Sequence, residues 1–384
     1  MAKCDYCDFF SRGGSDSVGN DYVLSLVHEA DYYARLYQID SFKTIYIGGG
    51  TPSLLSAPQL SFLLSALQKR CGEAEEITLE MNPETLDGEK LSAAEEHGVS
   101  RLSVGVQSLT DAALASVHRH CSVSQTLRAL SLIQSVWHGE VNLDVMAGLP
   151  GQDTPSFLRS LEAVISYHPE HLSLYTLTVE EGTPFASRID EGFPWNADTA
   201  DEEWLLGRKM LLDASYSQYE VSNFAIPGHE SRHNAAYWRQ EDYIGIGAGA
   251  VGTVYRFDGS PGIRWTNTAD IAAYIAFWQE ERRCDGGETL PRTEEMLPLP
   301  VEEFEYFMMG LRTLEGVDAA RYRERYHAVS PWGGDISLRL GAASGLWQRL
   351  LAEKKARIYD TKQHRFYALT AEGLLFLNDV LRSL

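Results

Sequence analysis

The sequence predicts an α/β protein built on a parallel sheet and joined to a smaller, mainly helical part towards the C-terminus. Three observations predict it. Short β-rich runs alternate with amphipathic stretches at 25–40-residue spacing over the first two-thirds of the chain. Polar and glycine-rich motifs follow the β-rich runs, at the strand ends where α/β folds gather function. Beyond residue 185 the alternation loosens, and the tail holds helical patterns around one hairpin-like pair.

The elements follow in order. Tyr22, Val23, Leu26, Val27, Tyr33, Leu36 and Tyr37 fall at helical spacing and predict a first helix. Strands are predicted over 44–47, 77–81, 101–104, 141–146 and 172–177. Amphipathic stretches over 58–67, 87–97, 124–137 and 154–167 predict the intervening helices. Gly245-Ile246-Gly247-Ala248-Gly249-Ala250 marks a segment where backbone passes close to its neighbours. Residues 286–300, rich in Gly, Pro and Glu, read as a linker. After it come helices, a hairpin over 356–359 and 364–369, and a last helix, which suggests a winged-helix-like domain. The expected division is 1–185, 186–285 and 286–384, with no internal repeat.

Charge and composition exclude several classes. Lys and Arg total 33 against 54 Asp and Glu, a net charge of −21. A general nucleic-acid binder needs a positive field to meet phosphate, so no nucleic-acid partner is expected and the winged part reads as structural or partner-binding. No run of 18 apolar residues and no basic-then-apolar leader occurs, so a membrane-spanning or secreted protein is not expected. Of five cysteines only Cys4 and Cys7 are close, and Cys71, Cys121 and Cys284 stand alone. That is no disulfide framework, and a reducing cytoplasm is the default.

Chemistry-bearing motifs mark one end of each predicted strand. Cys4-Asp5-Tyr6-Cys7 by itself stays open between a zinc pair, a redox pair and uncommitted thiols. A zinc ribbon needs a second pair, a redox pair usually opens a helix after a strand, and two thiolates are too few for a cubane cluster. Ile45-Tyr46-Ile47-Gly48-Gly49-Gly50-Thr51-Pro52 runs a strand into three glycines, where exposed N–H groups can meet a carboxylate; it reads equally as a tight strand–helix turn. Glu80-Met81-Asn82-Pro83-Glu84 puts an acid at a strand end, placed for an ammonium or a ribose hydroxyl, or simply exposed at a helix start. Gly105-Val106-Gln107-Ser108 follows, with Arg119-His120 twelve residues beyond Gln107, and then Asn142 to Gln152 with Asp144. Four such deliveries in chain order build one rim more readily than chance does.

Together these motifs, with Leu172 to Phe185, Glu220 to Ala225, Arg232-His233-Asn234-Ala235-Ala236-Tyr237-Trp238 and Tyr243 to Ala250, resemble the radical S-adenosylmethionine (SAM) coproporphyrinogen-III-oxidase-like family, closest to its heme-chaperone branch. The resemblance runs over nearly the whole chain. It implies a partial (β/α)6 barrel with a C-terminal winged-helix-like domain. It implies a [4Fe–4S] cluster held by CxxxCxxC, with Cys4 and Cys7 matching the second and third cysteines. It implies SAM lined by Gly49, Gly50, Thr51, Glu80, Gln107, Arg119 and Asp144, and cleaved to a deoxyadenosyl radical when the cluster is reduced. It implies heme at His233, the candidate axial ligand, beside Asn234, Tyr237 and Trp238; the plainer reading is a structural His233–Asn234 pair beside an aromatic cluster.

Three departures sharpen the expectation. Counting back from Cys4, the first cysteine falls immediately before Met1, and the family's preceding strand is missing with it. A late start codon or a shortened chain explains this most simply, and the chain as written is expected to hold little or no intact cluster in a barrel lacking its first strand. Phe9 stands where the oxidases carry another cysteine, which favours the heme-chaperone branch. Val251-Gly252 replaces the family's His-Ser pair after Ala250. The expected function is therefore a cytoplasmic heme chaperone that passes heme to apo-proteins, with a homodimer and peripheral contact with membrane respiratory proteins as further expectations. Oxygen-independent decarboxylation of coproporphyrinogen III, and a non-catalytic interaction barrel, are the alternatives.

Overall fold

The structure, a computed structural model, describes residues 3–8, 10, 18–72, 74–256, 260–279, 289–328, 330–341 and 345–384. Phe9, Cys284 and the first residues of the expected linker lie outside the described residues. The chain forms two compact units. The first comprises Met1–Ser217, Ser222–Glu230 and Ile275–Gly287; the second comprises Gln218–Val221, Ser231–Tyr274 and Glu288–Leu384.

The first unit opens on α1 (Asn20–Leu36), and strands then alternate with helices. The order is β1 (Thr44–Ile47), α2 (Ala57–Cys71), β2 (Glu76–Met81), α3 (Gly88–Glu96), β3 (Arg101–Gln107), α4 (Asp111–Ser116), α5 (Val123–Val136), β4 (Glu140–Ala147), α6 (Thr154–Ile165) and β5 (His171–Thr176). Next come α7 (Pro184–Asp190), α8 (Ala197–Asp213), β6 (Ser217–Gln218) and β7 (Asn223–Ala225). β1 to β5 are parallel neighbours in chain order, and β7 adds to β5 antiparallel. Helix starts are written into the sequence: Ser56 with Gln59, Ser122 with Gln125, and Asp153 with Ser156 close capping boxes on α2, α5 and α6.

Alternation along the strands sorts the sheet into two faces. Ile77, Leu79, Leu102, Val104, Leu143, Val145, Leu172 and Leu174 belong to the main apolar core, together with residues of the helices. The opposite face is buried as well, yet it carries Thr78, Ser103, Asn142, His171 and Ser173. Barrel interiors are usually filled by branched apolar side chains. Here hydroxyls, an amide and an imidazole fill that place. At the amino end of the sheet Arg101 bridges Glu140 at 2.5 Å and Glu76 at 3.4 Å.

Sequence patterning missed α8 because its buried stripe is Ala200, Glu203, Gly207 and Leu211, small or polar residues that leave little apolar periodicity. Its place in the core is nonetheless specific: Glu203 is buried and accepts the Gly148 N–H at 2.7 Å.

In the second unit, α9 (Arg232–Trp238) precedes β8 (Val251–Val254) and β9 (Gly262–Asn267). After α10 (Ile271–Trp278), whose residues from Ile275 on are counted with the first unit, comes β10 (Arg292–Leu297), and the three strands form an antiparallel sheet in the order β10-β9-β8. The linker expected over 286–300 is therefore corrected: β10 pairs with β9 along its whole length, and α11 (Leu299–Gly310) starts directly after it. The misreading has a physical source. β10 is an edge strand whose Glu294 and Glu295 are exposed, and charged edge strands look like linkers in composition. The chain ends in β11 (Val317–Asp318), α12 (Ala319–Tyr326), α13 (Ile336–Gly341), α14 (Leu346–Ala352), β12 (Ala356–Asp360), β13 (Arg365–Leu369) and α15 (Leu377–Ser383). Strand, helices and hairpin form the expected winged-helix arrangement around a core that includes Phe307, Tyr322, Trp347 and Leu350.

Candidate functional site

The motif cysteines share one turn. Cys4 and Cys7 are half-buried and not joined in a disulfide, and the Cys7 N–H donates to the Cys4 carbonyl at 3.2 Å. Asp5 between them anchors the turn. Its N–H donates to the Val117 carbonyl at 3.1 Å, and its carbonyl accepts the Phe185 N–H at 3.0 Å. Its buried carboxylate accepts from His118 Nδ1 at 2.7 Å and Arg188 Nη1 at 2.6 Å. Tyr6 packs against Ala113, Val117, Met146, Leu149, Leu177 and Phe185. Burial, then the neighbouring Cys4 charge, push its phenol well up, so it stays protonated.

Arg119 reaches this turn from the residue after a strained one: His118 holds a left-handed backbone, φ 52°. Arg119 Nη2 donates to the Gly105 carbonyl at 2.5 Å, Nη1 lies 4.0 Å from the Cys4 sulfur, and Nε is buried without an acceptor among the described residues. Gln107 is strained too, φ 64°, at the register shift that ends β3. Its side chain and that of Arg119 converge over Gly105, where an added Cβ would lie 2.9 and 3.0 Å from their nitrogens.

Glu80 faces the glycine turn. One carboxylate oxygen accepts the Gly49 N–H at 3.0 Å, the other the Tyr46 hydroxyl at 2.6 Å. Burial holds its carboxyl above the usual range, against the pull of those hydrogen bonds and with the push of Asp144. Gly49 takes φ 89°, which only glycine adopts without strain, and Gly50 has no atom within 4 Å of where a Cβ would sit. Thr51 accepts the Leu54 N–H through its carbonyl as the chain turns into α2. Asp144 accepts from Asn142 Nδ2 at 2.8 Å; burial raises its carboxyl, with Ser173, Asn142 and Arg119 opposing. Cys4, Gly49, Glu80, Gln107, Arg119 and Asp144 thus converge on one end of β1 to β4. Tyr46, Asp5 and Asn142 join them as residues that motif reading did not single out. The signal was the period of two within each strand: Tyr46 two before Gly48, and Asn142 two before Asp144.

Ser108 and Gln152 serve the frame instead, bonded to each other at 2.9 Å across the ends of β3 and β4.

In the second unit His233 lies on α9, a helix with no buried residue. Its ring meets Tyr237 edge-on at 5.0 Å, and Tyr237 meets Tyr243 at 4.5 Å. Asn234 gives its backbone N–H to the Ser231 cap at 3.2 Å. Trp238 lines a cavity of about 360 Å³ with Arg239, Tyr306, Arg321, Tyr359 and Phe366.

Comparison with known proteins gives this geometry its family. The Radical SAM superfamily pattern matches residues 1–164. The chain is 35% identical over 387 residues to the heme chaperone HemW of Escherichia coli, covering 99% of this chain and 94% of that one. The chain belongs to the HemW family of radical SAM proteins. HemW of Lactococcus lactis is 32% identical over 329 residues, 84% of this chain and 82% of that one. The solved structure of coproporphyrinogen III oxidase (HemN) from Escherichia coli superposes with a TM-score of 0.75 at 20% identity, covering 99% of this chain and 86% of that one. That likeness shows a shared fold.

The HemW family is a radical SAM family, and the residues present suit its cofactors in kind. Two soft thiols share one turn, the Cys4 sulfur lies beside a guanidinium, and Gly50 borders a space that no atom of the described residues fills. In number the described residues supply two of the three thiolates of the motif, and no cluster of three His, Cys, Asp or Glu side chains forms among them.

Proposed function

We propose that the chain is a heme chaperone, binding heme and passing it to apo-proteins, with a [4Fe–4S] cluster and SAM at the rim of the first unit. The observation that carries this reading is the convergence of Cys4, Arg119, Gly49, Glu80 and Asp144 in a chain of the HemW family. Cys4 and Cys7 would hold cluster iron. Glu80 and Gly49 would receive the ammonium and carboxylate of the methionyl group with Arg119, and Gln107 and Asp144 the ribose. Bound together, the cluster and SAM supply one-electron chemistry, while these residues orient SAM and exclude water. Thr51 lines the same turn.

Heme is assigned to the second unit. His233 offers a partly exposed imidazole on α9, beside Asn234, Tyr237 and Trp238. In functional terms 1–185 would carry the SAM chemistry, 186–285 the heme-bearing segment and 286–384 the partner-facing part. A cytoplasmic site of action suits Cys4, Cys7 and Cys121, which form no disulfide among the described residues. A homodimer and peripheral contact with membrane respiratory proteins extend the same reading; among the described residues no helix is long and apolar enough to cross a membrane.

A heme titration followed by absorbance tests the chaperone reading. Stoichiometric binding that His233→Ala weakens, followed by transfer to an apo-cytochrome, supports it. An unchanged titration removes the ligand assignment of His233. Anaerobic conversion of coproporphyrinogen III to protoporphyrinogen IX would instead establish the oxidase alternative. For the rim, anaerobic reconstitution should leave the chain well short of about four irons, and the iron and sulfide that do bind should fall on Cys4→Ser or Cys7→Ser.

A further inference from the structure

The polar face of the sheet is built as an ordered chain of hydrogen bonds that ends on Asp144. His171 at the start of β5 is buried, and its Nδ1 lies 2.6 Å from Asn142 Oδ1. Ser173 Oγ, two residues on, donates to the same oxygen at 3.2 Å. Asn142 Nδ2 donates to Ser103 Oγ at 2.9 Å and to Asp144 Oδ1 at 2.8 Å. Register enforces this: Asn142 pairs with His171 and Asp144 with Ser173 between β4 and β5, and Ser103 pairs with Asn142 between β3 and β4. The direction is set as well. Turning the Asn142 amide over would aim its oxygen at the Asp144 carboxylate, oxygen against oxygen. With the amide fixed, His171 must donate from Nδ1.

We propose that His171 and Asn142 are positioning residues: they form a relay that holds the Asp144 carboxylate ionised and aimed at the ribose hydroxyls of SAM. The role rests on the rim reading given above. Two facts support the relay. Burial, and then the Arg101 charge, hold the His171 imidazole well below the ordinary histidine range, so it is neutral and its donor is fixed. Asp144 itself is buried enough to sit above the usual carboxylate range, so each donor it receives matters. Ionisable groups that face Asp144 include Glu80 from β2, Tyr46 from β1 and Arg119 from beyond α4, with Tyr175 of β5 beside Tyr46. Of these only Arg119 favours the ionised carboxylate. The Ser173 hydroxyl, the Asn142 amide and the Ser103 hydroxyl favour it as well, and Asn142 acts from the same strand as Asp144 itself.

The test separates relay from rim. In the full chain, the ¹³Cγ titration of Asp144 is recorded for wild type, Asn142→Leu, His171→Leu and His171→Asn, with Asp144→Asn assigning the signal and melting curves confirming the fold. Losing the amide donor disfavours the ionised form, so Asn142→Leu should raise the midpoint by about one pH unit. His171→Leu should move it the same way by less, and His171→Asn, which keeps a donor in place, should restore it. An unmoved midpoint in Asn142→Leu, in which the donor itself is gone, overturns the relay. Equilibrium dialysis with labelled SAM across the same pH range then gives the consequence. Asn142→Leu should bind about tenfold more weakly on the acid side and nearly as wild type on the alkaline side. A loss that is uniform in pH marks a merely structural role and overturns the proposal. If Asp144→Asn binds SAM as wild type does, the ribose assignment of the rim fails, an outcome distinct from an unmoved midpoint.

Discussion

Gly48 and Gly50 sit two residues apart and answer to different demands. A Cβ on Gly48 would lie 2.4 Å from the Tyr46 ring and 2.6 Å from the Glu80 carboxylate, whereas one on Gly50 would meet nothing within 4 Å. Gly48→Ala should therefore cost about 1–3 kcal/mol in urea denaturation through overpacking. Gly50→Ala should stay within about 0.5 kcal/mol of wild type yet weaken SAM binding, because its open side is where a ligand's backbone-facing edge would pass. A Gly50→Ala protein with full SAM affinity would remove that position from the site. His171 makes a pH prediction at the same scale. Its native pKa lies well below that of the unfolded chain, so the unfolded state alone takes up a proton as pH falls below about 6.5. The stability that His171 contributes is thus present above that pH and lost beneath it. Glu80 and Asp144, whose carboxyls are raised, act in the opposite sense at lower pH. Denaturation midpoints of wild type and His171→Asn should agree near pH 8 and diverge below pH about 6, with the variant losing less.

The cysteine turn, α4 and α7 are held together through a single acid. Asp5 receives His118 at 2.7 Å and Arg188 at 2.6 Å, and Arg188 also donates to the Ser116 carbonyl at 2.7 Å. The turn spans few residues and has little apolar area of its own beyond Tyr6, so these bonds set where the thiols sit. Asp5→Asn should cost about 2 kcal/mol, as expected for losing charge-assisted hydrogen bonds with little solvent access. More diagnostically, the reaction of Cys4 and Cys7 with a thiol reagent should accelerate, and Arg188→Ala should reproduce the effect. Unchanged thiol kinetics in both variants would show that the turn is held elsewhere. At the same scale α8 and β10 show how an element can be firm in space and faint in sequence: one buries small and polar side chains, the other is an edge.

Across the whole molecule the net charge of −21 sets the long-range field. Self-repulsion of that size is screened by salt, whose Debye length shortens to about 8 Å at physiological ionic strength. The melting temperature should therefore rise when salt is raised from low to physiological concentration. A fall would mean that specific ion pairs such as Arg101–Glu140 outweigh the general field. The winged shape of the second unit's C-terminal part does not by itself make it a DNA reader.

The alternation of strands and helices and the chain order of the rim motifs were legible in residue patterns, because they depend on local rules. Short β-rich runs marked β1 to β5, amphipathic stretches marked α2, α5 and α6, and glycine or acid residues marked the strand ends. Cys4, Glu80, Arg119 and Asp144 could be named from motifs alone. Their mutual placement could not, nor could Asp5 and His171. Asp5 finds His118 and Arg188 more than a hundred residues away, and His171 finds Asn142 only through strand register. Neither contact has a local signature, because its free energy comes from burial that the folded sheet creates. The first pair of cysteines in the chain shows the division most simply: spacing named the two thiols, and tertiary packing decided that a guanidinium stands beside Cys4.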